Sequence, residues 1–231
     1  MTEPLFRDDA YLTTAAATVV GLGEGTVILD RSLFYPAGGG QPGDTGTLEL
    51  ADGTVLPVTD TRYTADRAAI ALSVDGLVSE GAAVTQHLDW ARRYSIMKMH
   101  TALHLLSVVL AFPVTGGQIG VSDSRLDFDM PESPDKEAVA AALADLVAAD
   151  HNVTTEWITD EELDANPDLV KTMTVKPPRG SGRVRLVKIG EVDLQPCGGT
   201  HVASTAEIGA LTVTKVEKKG RQNRRVRIAL S

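Results

Sequence analysis

Four side chains in this sequence have the types and spacing to share one metal ion. His100 and His104 stand four residues apart, and Cys197, the only cysteine, stands four before His201 with Gly198, Gly199 and Thr200 between them. On a helix, that first spacing places both imidazoles on one face. The second pair reads as a loop, because adjacent glycines disfavour a helix interior. Three imidazole nitrogens and one thiolate make a borderline-soft donor set suited to Zn2+, one ion per chain, at neutral pH. If the four were unrelated buried residues, three of the five histidines and the lone cysteine would fall into two matched pairs by chance.

The stretch "HTALH" comes close to the metalloprotease helix H-E-x-x-H but carries Thr101 where that chemistry needs a glutamate base. Amide hydrolysis is therefore a poor fit. An ester is easier to cleave, and metal-assisted attack on one needs no adjacent carboxylate.

The elements that must hold these residues follow from pattern. Residues 1–88 alternate or run apolar between glycine and aspartate turns, with Asp52-Gly53 a hairpin signal, which predicts a β-rich domain. From Asp89, a plausible N-cap, to Pro113 the pattern becomes a helix with apolar residues all around its axis, which predicts burial. An amphipathic helix capped by Ser133 or Asp135 follows, then segments at 152–159, 183–195, 208–218 and 224–230 that read as strands. The fold class is α+β: a domain over 1–88, then one over 89–231 with a mainly antiparallel sheet packed on helices.

Composition bounds the function. The 231 residues are 43% hydrophobic and 23% charged, as in a globular protein, and one cysteine excludes an internal disulfide framework. The start "MTEPLFRDDAYL" lacks a signal-peptide pattern and no apolar run is long enough for a membrane span, so a cytoplasmic protein is expected. The net charge of −9 is segregated: residues 1–90 hold 4 basic and 13 acidic side chains, whereas residues 169–231 hold 13 basic and 4 acidic ones. A basic face on an otherwise acidic body suits phosphate. The candidates for it are Arg92 and Arg93, and Lys215, Lys218, Lys219, Arg221, Arg224, Arg225 and Arg227. The same pattern fits solvated strands and a turn. Arg125, Asp127, His87 and His151 read as structural.

Residues 34–46, "FYPAGGGQPGDTG", satisfy G-x-G-x-x-G through Gly38, Gly40 and Gly43, yet Pro42 interrupts the motif and a strand follows, which excludes a dinucleotide site. Nor is there a phosphate-loop lysine. Three consecutive glycines still allow a ligand or another segment to approach the backbone closely.

Taken together, "RRYSIMKMHTALHLL", "DLQPCGGTHV" and "EIGAL" resemble the editing domain of alanyl-tRNA synthetases, also related to that of the threonyl enzyme, and the glycine-rich stretch is similar to the signature of its N-terminal neighbour. With no room for an aminoacylation module, the chain resembles the free-standing alanyl-tRNA editing proteins in their longer form, from about residue 5 to the C-terminus, which implies a small, glycine-rich β-barrel-like domain over residues 1–88. The resemblance implies zinc on His100, His104, Cys197 and His201, and hydrolysis of tRNA(Ala) mischarged with serine or, as a lesser substrate, glycine; neither DNA nor a membrane is an expected partner. It maps substrate discrimination onto Gly38, Gly39 and Gly40. Choosing serine over alanine requires a polar pocket, since a size filter that admits serine admits alanine, and a group built to bond the hydroxyl can discriminate by roughly 10⁴–10⁵. Thr101 and Gln118 are the candidates. Four protein ligands normally mark a structural zinc, so His201, after the glycine pair, is the suspect member. Ion roles in activating water, polarising the carbonyl or anchoring the amino group stay open. The competing readings are a zinc-stabilised RNA-binding module without catalysis, an editing domain acting on seryl-tRNA(Thr), and a small-molecule esterase.

Overall fold

A computed structural model describes residues 1–173 and 182–231. The chain forms two compact units, Met1–Tyr94 and Ser95–Ser231.

The first unit contains β1 (Glu3–Pro4), β2 (Thr14–Gly23), β3 (Thr26–Leu29), β4 (Arg31–Ser32), β5 (Gly46–Leu50), β6 (Val55–Tyr63), β7 (Ile70–Val74) and β8 (Ala83–Leu88). Strands β2, β3, β7, β6, β5 and β8 close in that order into an antiparallel barrel, while β1 and β4 pair in parallel. Alternation along the strands sends Val19, Val27, Leu29, Leu48, Leu56, Val58, Leu72 and Val84 into the barrel core. The Asp52-Gly53 signal forms its turn: Gly53 has φ +84° and Asp52 Oδ1 accepts the Thr54 amide at 2.9 Å.

The glycine-rich stretch builds a tight turn. Gly38 and Gln41 exchange two backbone hydrogen bonds of 3.0 Å, and Gly39 and Gly40 between them both have positive φ, +59° and +84°. This mirror-image turn excludes most side chains at both central positions. Gly43 is needed for a different reason, because a Cβ there would lie 2.2 Å from the Thr61 carbonyl oxygen.

Helix α1 (Trp90–Val109) runs through the division between the units. Asp89 caps it, its Oδ1 accepting the Arg92 amide at 3.2 Å. In the second unit its residues Ile96, Met97, Met99, Ala102, Leu103, Leu105 and Leu106 are all buried, as the unbroken apolar pattern predicts. After it come β9 (Val114–Gln118), β10 (Asp123–Asp129), α2 (Lys136–Ala148), β11 (Val153–Ile158), α3 (Asp160–Ala165), β12 (Val184–Ile189), β13 (Asp193–Pro196), β14 (Leu211–Lys218) and β15 (Asn223–Leu230). Asp135 caps α2 by accepting the Ala138 amide at 2.8 Å. One antiparallel sheet has the order β14-β15-β10-β9 and a second the order β11-β12-β13. Helix α3 falls outside the sequence expectation. Its signal is the capping box of Thr159 and Glu162, whose side chains bond each other's backbone amides. Among the described residues no helix is long and apolar enough to cross a membrane.

Candidate metal centre

Helix α1 carries His100 and His104 on one face, and the loop after β13 brings Cys197 and His201 to them. The ligand atoms of all four lie within 4.8 Å of one another. Cys197 Sγ is 3.5 Å from His100 Nε2 and 3.3 Å from His201 Nε2. Zinc bonds of about 2.0 Å to nitrogen and 2.3 Å to sulfur place tetrahedral N and S ligands about 3.5 Å apart. The donor set and its spacing therefore fit a zinc-sized, borderline-soft cation. Among the described residues this is the one group of its kind.

The Cys197 loop is held by Arg185 on β12. Its Nη1 donates to the carbonyls of Cys197 at 2.8 Å and Gly199 at 3.1 Å, and its carbonyl accepts the Cys197 amide. Sequence reading counts Arg185 only as part of a basic segment; the loop carbonyls it pins carry no side-chain signature.

His201 follows a glycine pair but is not loosely held. Thr101 Oγ1 donates to the Met97 carbonyl at 3.0 Å, sits 3.1 Å from His201 Nδ1 and accepts the Val202 amide at 3.3 Å. With its one proton committed to Met97, Oγ1 can only accept from His201. That puts the ring proton on Nδ1 and leaves the Nε2 lone pair facing Cys197. Thr101 is fully buried. A substrate hydroxyl could reach Oγ1 only by displacing one of these partners, so the geometry gives Thr101 a ligand-orienting place rather than an open pocket wall.

His104 is oriented on its far side by Asp193, whose Oδ2 lies 3.0 Å from Nδ1. Burial works against a charged His104, but the hydrogen bonds and charges of Asp193 and Cys197 outweigh it and raise the imidazole to about 9. Burial likewise pushes the Cys197 thiol up, yet the charges of His100 and His201 and hydrogen bonds to His100 and His104 hold it well below its usual range. His201 is pulled down to about 3, first by burial and then by the charge of His100. The Cys197 thiolate and the neutral His201 imidazole needed for ligation are thus favoured before any ion arrives, whereas His104 must give up a proton to ligate.

The remaining expected site residues separate sharply. Gln118 is exposed at the end of β9, and Gly39 and Gly40 are exposed at their turn with Gly38 half-buried. Arg93, by contrast, is fully buried in the first unit. It donates to Asp44 Oδ2 from Nε at 2.9 Å and also from Nη2, and to the carbonyls of Ala10 at 3.0 Å and Leu33 at 2.7 Å. Arg92 is close to the same carboxylate, 4.0 Å from Asp44 Oδ1. Arg224 is also buried and spends its guanidinium on the carbonyls of Gly220, Asn223 and Pro131. Arg225 makes a two-pronged pair with Asp127, at 2.7 and 2.9 Å. Arg93 and Arg224 are therefore buried within the fold, and Arg225, half-buried, commits two of its nitrogens to Asp127. Arg227 and Lys215 pair with Glu217. Lys218, Lys219 and Arg221 are exposed around the β14–β15 turn, with no carboxylate partner among the described residues.

Comparison with known proteins gives a consistent picture. Residues 184–227 match the threonyl and alanyl tRNA synthetase second additional domain, and residues 8–92 match the class II (A) tRNA synthetases. The chain is 34% identical to an alanyl-tRNA editing protein AlaX-M of Methanosarcina mazei, over 100% of this chain and 97% of the relative. It is 32% identical to an alanyl-tRNA editing protein AlaX-L of Pyrococcus horikoshii, over 96% of this chain and 56% of that relative. It is also 33% identical to an alanine-tRNA ligase of Sulfurisphaera tokodaii, over 94% of this chain but only 25% of the larger enzyme.

Proposed function

The chain belongs to the alanyl-tRNA editing protein family, and from that premise we propose that it hydrolyses the aminoacyl ester of mischarged tRNA(Ala), chiefly seryl and to a lesser extent glycyl, at a zinc centre on His100, His104, Cys197 and His201. The observation that carries this reading is the convergence of the four donor atoms within 4.8 Å in a chain whose relatives are named for alanyl-tRNA editing. When bound, the ion supplies a Lewis acid that can polarise the ester carbonyl or lower the pKa of a water.

The chain's own residues do the rest. Arg185 fixes the Cys197 loop, and Thr101 holds His201 with Nε2 turned toward the other donors. A site already occupied by four protein ligands acts on substrate only if one moves aside or the shell expands. Gln118 is the exposed candidate for the serine hydroxyl, and the turn of half-buried Gly38 with exposed Gly39 and Gly40 is the candidate for close approach by the substrate. Around the β14–β15 turn, Lys218, Lys219 and Arg221 are the exposed candidates to meet RNA phosphate. Their contacts would be salt-sensitive and independent of sequence.

The test is release of free serine from Ser-tRNA(Ala), with and without a zinc chelator. Chelator-sensitive release from Ser-tRNA(Ala) and none from Ala-tRNA(Ala) supports the proposal. Binding of the tRNA without release would make the chain an RNA-binding module, and faster release from Ser-tRNA(Thr) would move it to threonyl editing.

A further inference from the structure

Strand β13 does more than deliver Cys197. Its burial alternates so that two polar residues, Asp193 and Gln195, both point inward and both are buried. Polar side chains on a buried strand face need a compensating partner. Here the partners form a closed ring. Asp193 Oδ2 accepts His104 Nδ1 at 3.0 Å and Gln195 Nε2 at 2.7 Å. Gln195 Nε2 also lies 3.2 Å from Ser107 Oγ, and Ser107 Oγ donates to the His104 carbonyl at 2.7 Å. Lys171 Nζ closes the other side of the carboxylate on Oδ1.

We infer that Asp193, held by Lys171 and Gln195, is a positioning residue of the metal centre, fixing the tautomer and ring plane of His104 so that Nε2 faces the ion. This rests on the zinc reading proposed above. A simpler account would make Asp193 only the counter-charge of Lys171. The depths argue otherwise: the Asp193 side chain is 0% exposed while that of Lys171 is 28% exposed, so the carboxylate lies deeper than the cation that neutralises it. A surface pair needs no such burial, which is unfavourable for a carboxylate unless it is well bonded. What the buried carboxylate serves is the imidazole. A carboxylate behind a ligating histidine both orients it and raises its basicity toward the metal, and loss of such a partner typically weakens metal affinity roughly 10–100-fold. One four-residue strand thus supplies the partner of His104 and leads directly to the sulfur ligand.

The experiment measures Zn2+ affinity directly, by competition with a chromophoric chelator, and follows the ligand-field spectrum of the Co2+-loaded protein. Wild-type protein is compared with Asp193→Asn, Lys171→Met and Lys171→Arg. Asp193→Asn is expected to bind Zn2+ roughly 10–100-fold more weakly with a shifted Co2+ spectrum. Lys171→Met is expected to change both in the same direction by less, and Lys171→Arg to restore them. A purely structural role would lower the melting temperature and leave the affinity of the folded protein unchanged, which would overturn the inference. If Asp193→Asn does not fold, Lys171→Met decides: wild-type affinity and spectrum in that variant also overturn it. Failure of the wild-type chain to bind Zn2+ or Co2+ would remove the zinc reading itself, an outcome separate from the other two.

Discussion

Thr101→Val separates two roles for the residue between the ligand histidines. The substitution keeps the branched shape and removes Oγ1, so no cavity opens, but it is not neutral because the hydroxyl has work to do. Two buried donors are left without their acceptor: His201 Nδ1, at 3.1 Å, and the Val202 amide, at 3.3 Å, on residues that are 6% and 1% exposed. Each unpartnered donor is unfavourable by roughly 1–3 kcal/mol. The His201 tautomer is also released, which should weaken Zn2+ binding roughly 10–100-fold, or about 1.4–2.8 kcal/mol at 1.4 kcal/mol per tenfold. Thr101→Ser keeps the acceptor and should recover most of both losses. The assays are chelator competition for Zn2+ and thermal unfolding, followed by single-turnover deacylation of Ser-tRNA(Ala) and Ala-tRNA(Ala). If Thr101 orients His201, metal affinity falls and the serine-to-alanine rate ratio of the fully loaded variant is preserved. The orienting role is refuted if Thr101→Val binds Zn2+ as the wild type does while the rate ratio collapses. Thr101 would then be the group that meets the serine hydroxyl.

Three further outcomes are expected. Reversing the charges of Lys218, Lys219 and Arg221 together should weaken tRNA binding and flatten its salt dependence, by roughly 0.7–0.9 in log–log slope for each phosphate that is no longer neutralised; an unchanged slope means the tip touches no phosphate. Arg225→Ala should instead reduce stability, by roughly 1–3 kcal/mol at neutral pH. Burial raises the Asp127 carboxyl, but bonds from Arg225 and Arg125 outweigh it and hold the folded value below 3.8. The stabilisation is therefore present above the unfolded value and lost as pH falls through the folded one, so the wild-type and variant unfolding curves should converge below about pH 4. Asp44→Ala, finally, leaves Arg93 charged and buried, and should destabilise the barrel unit by roughly 3–5 kcal/mol in chemical denaturation; a loss under about 1 kcal/mol would mean that the neighbouring carbonyls alone satisfy the guanidinium.

The sequence by itself determined the donors and much of the frame. Periodicity and turn chemistry are local, so the β character of residues 1–88, the buried helix with its Asp89 cap and the Asp52-Gly53 turn could all be read from neighbours in the chain. The four candidate metal ligands were legible for the same reason, since each pair carries its own i, i+4 spacing. Helix α3 escaped because six residues are too few to show a period, and only its capping box marks it. What tertiary structure alone decided is which groups are already satisfied. Arginine looks the same in sequence whether it meets a phosphate or a buried carboxylate. Only the fold pairs Arg93 with Asp44 and Arg225 with Asp127, 49 and 98 residues away, and leaves the cations of the hairpin tip without a carboxylate among the described residues. Asp193 is the converse case: a charged residue in a strand ordinarily faces water, and only the inward register of β13 against α1 sets its carboxylate behind His104, 89 residues earlier. Charge is a property of the residue, but its desolvation and its partner are properties of the folded chain.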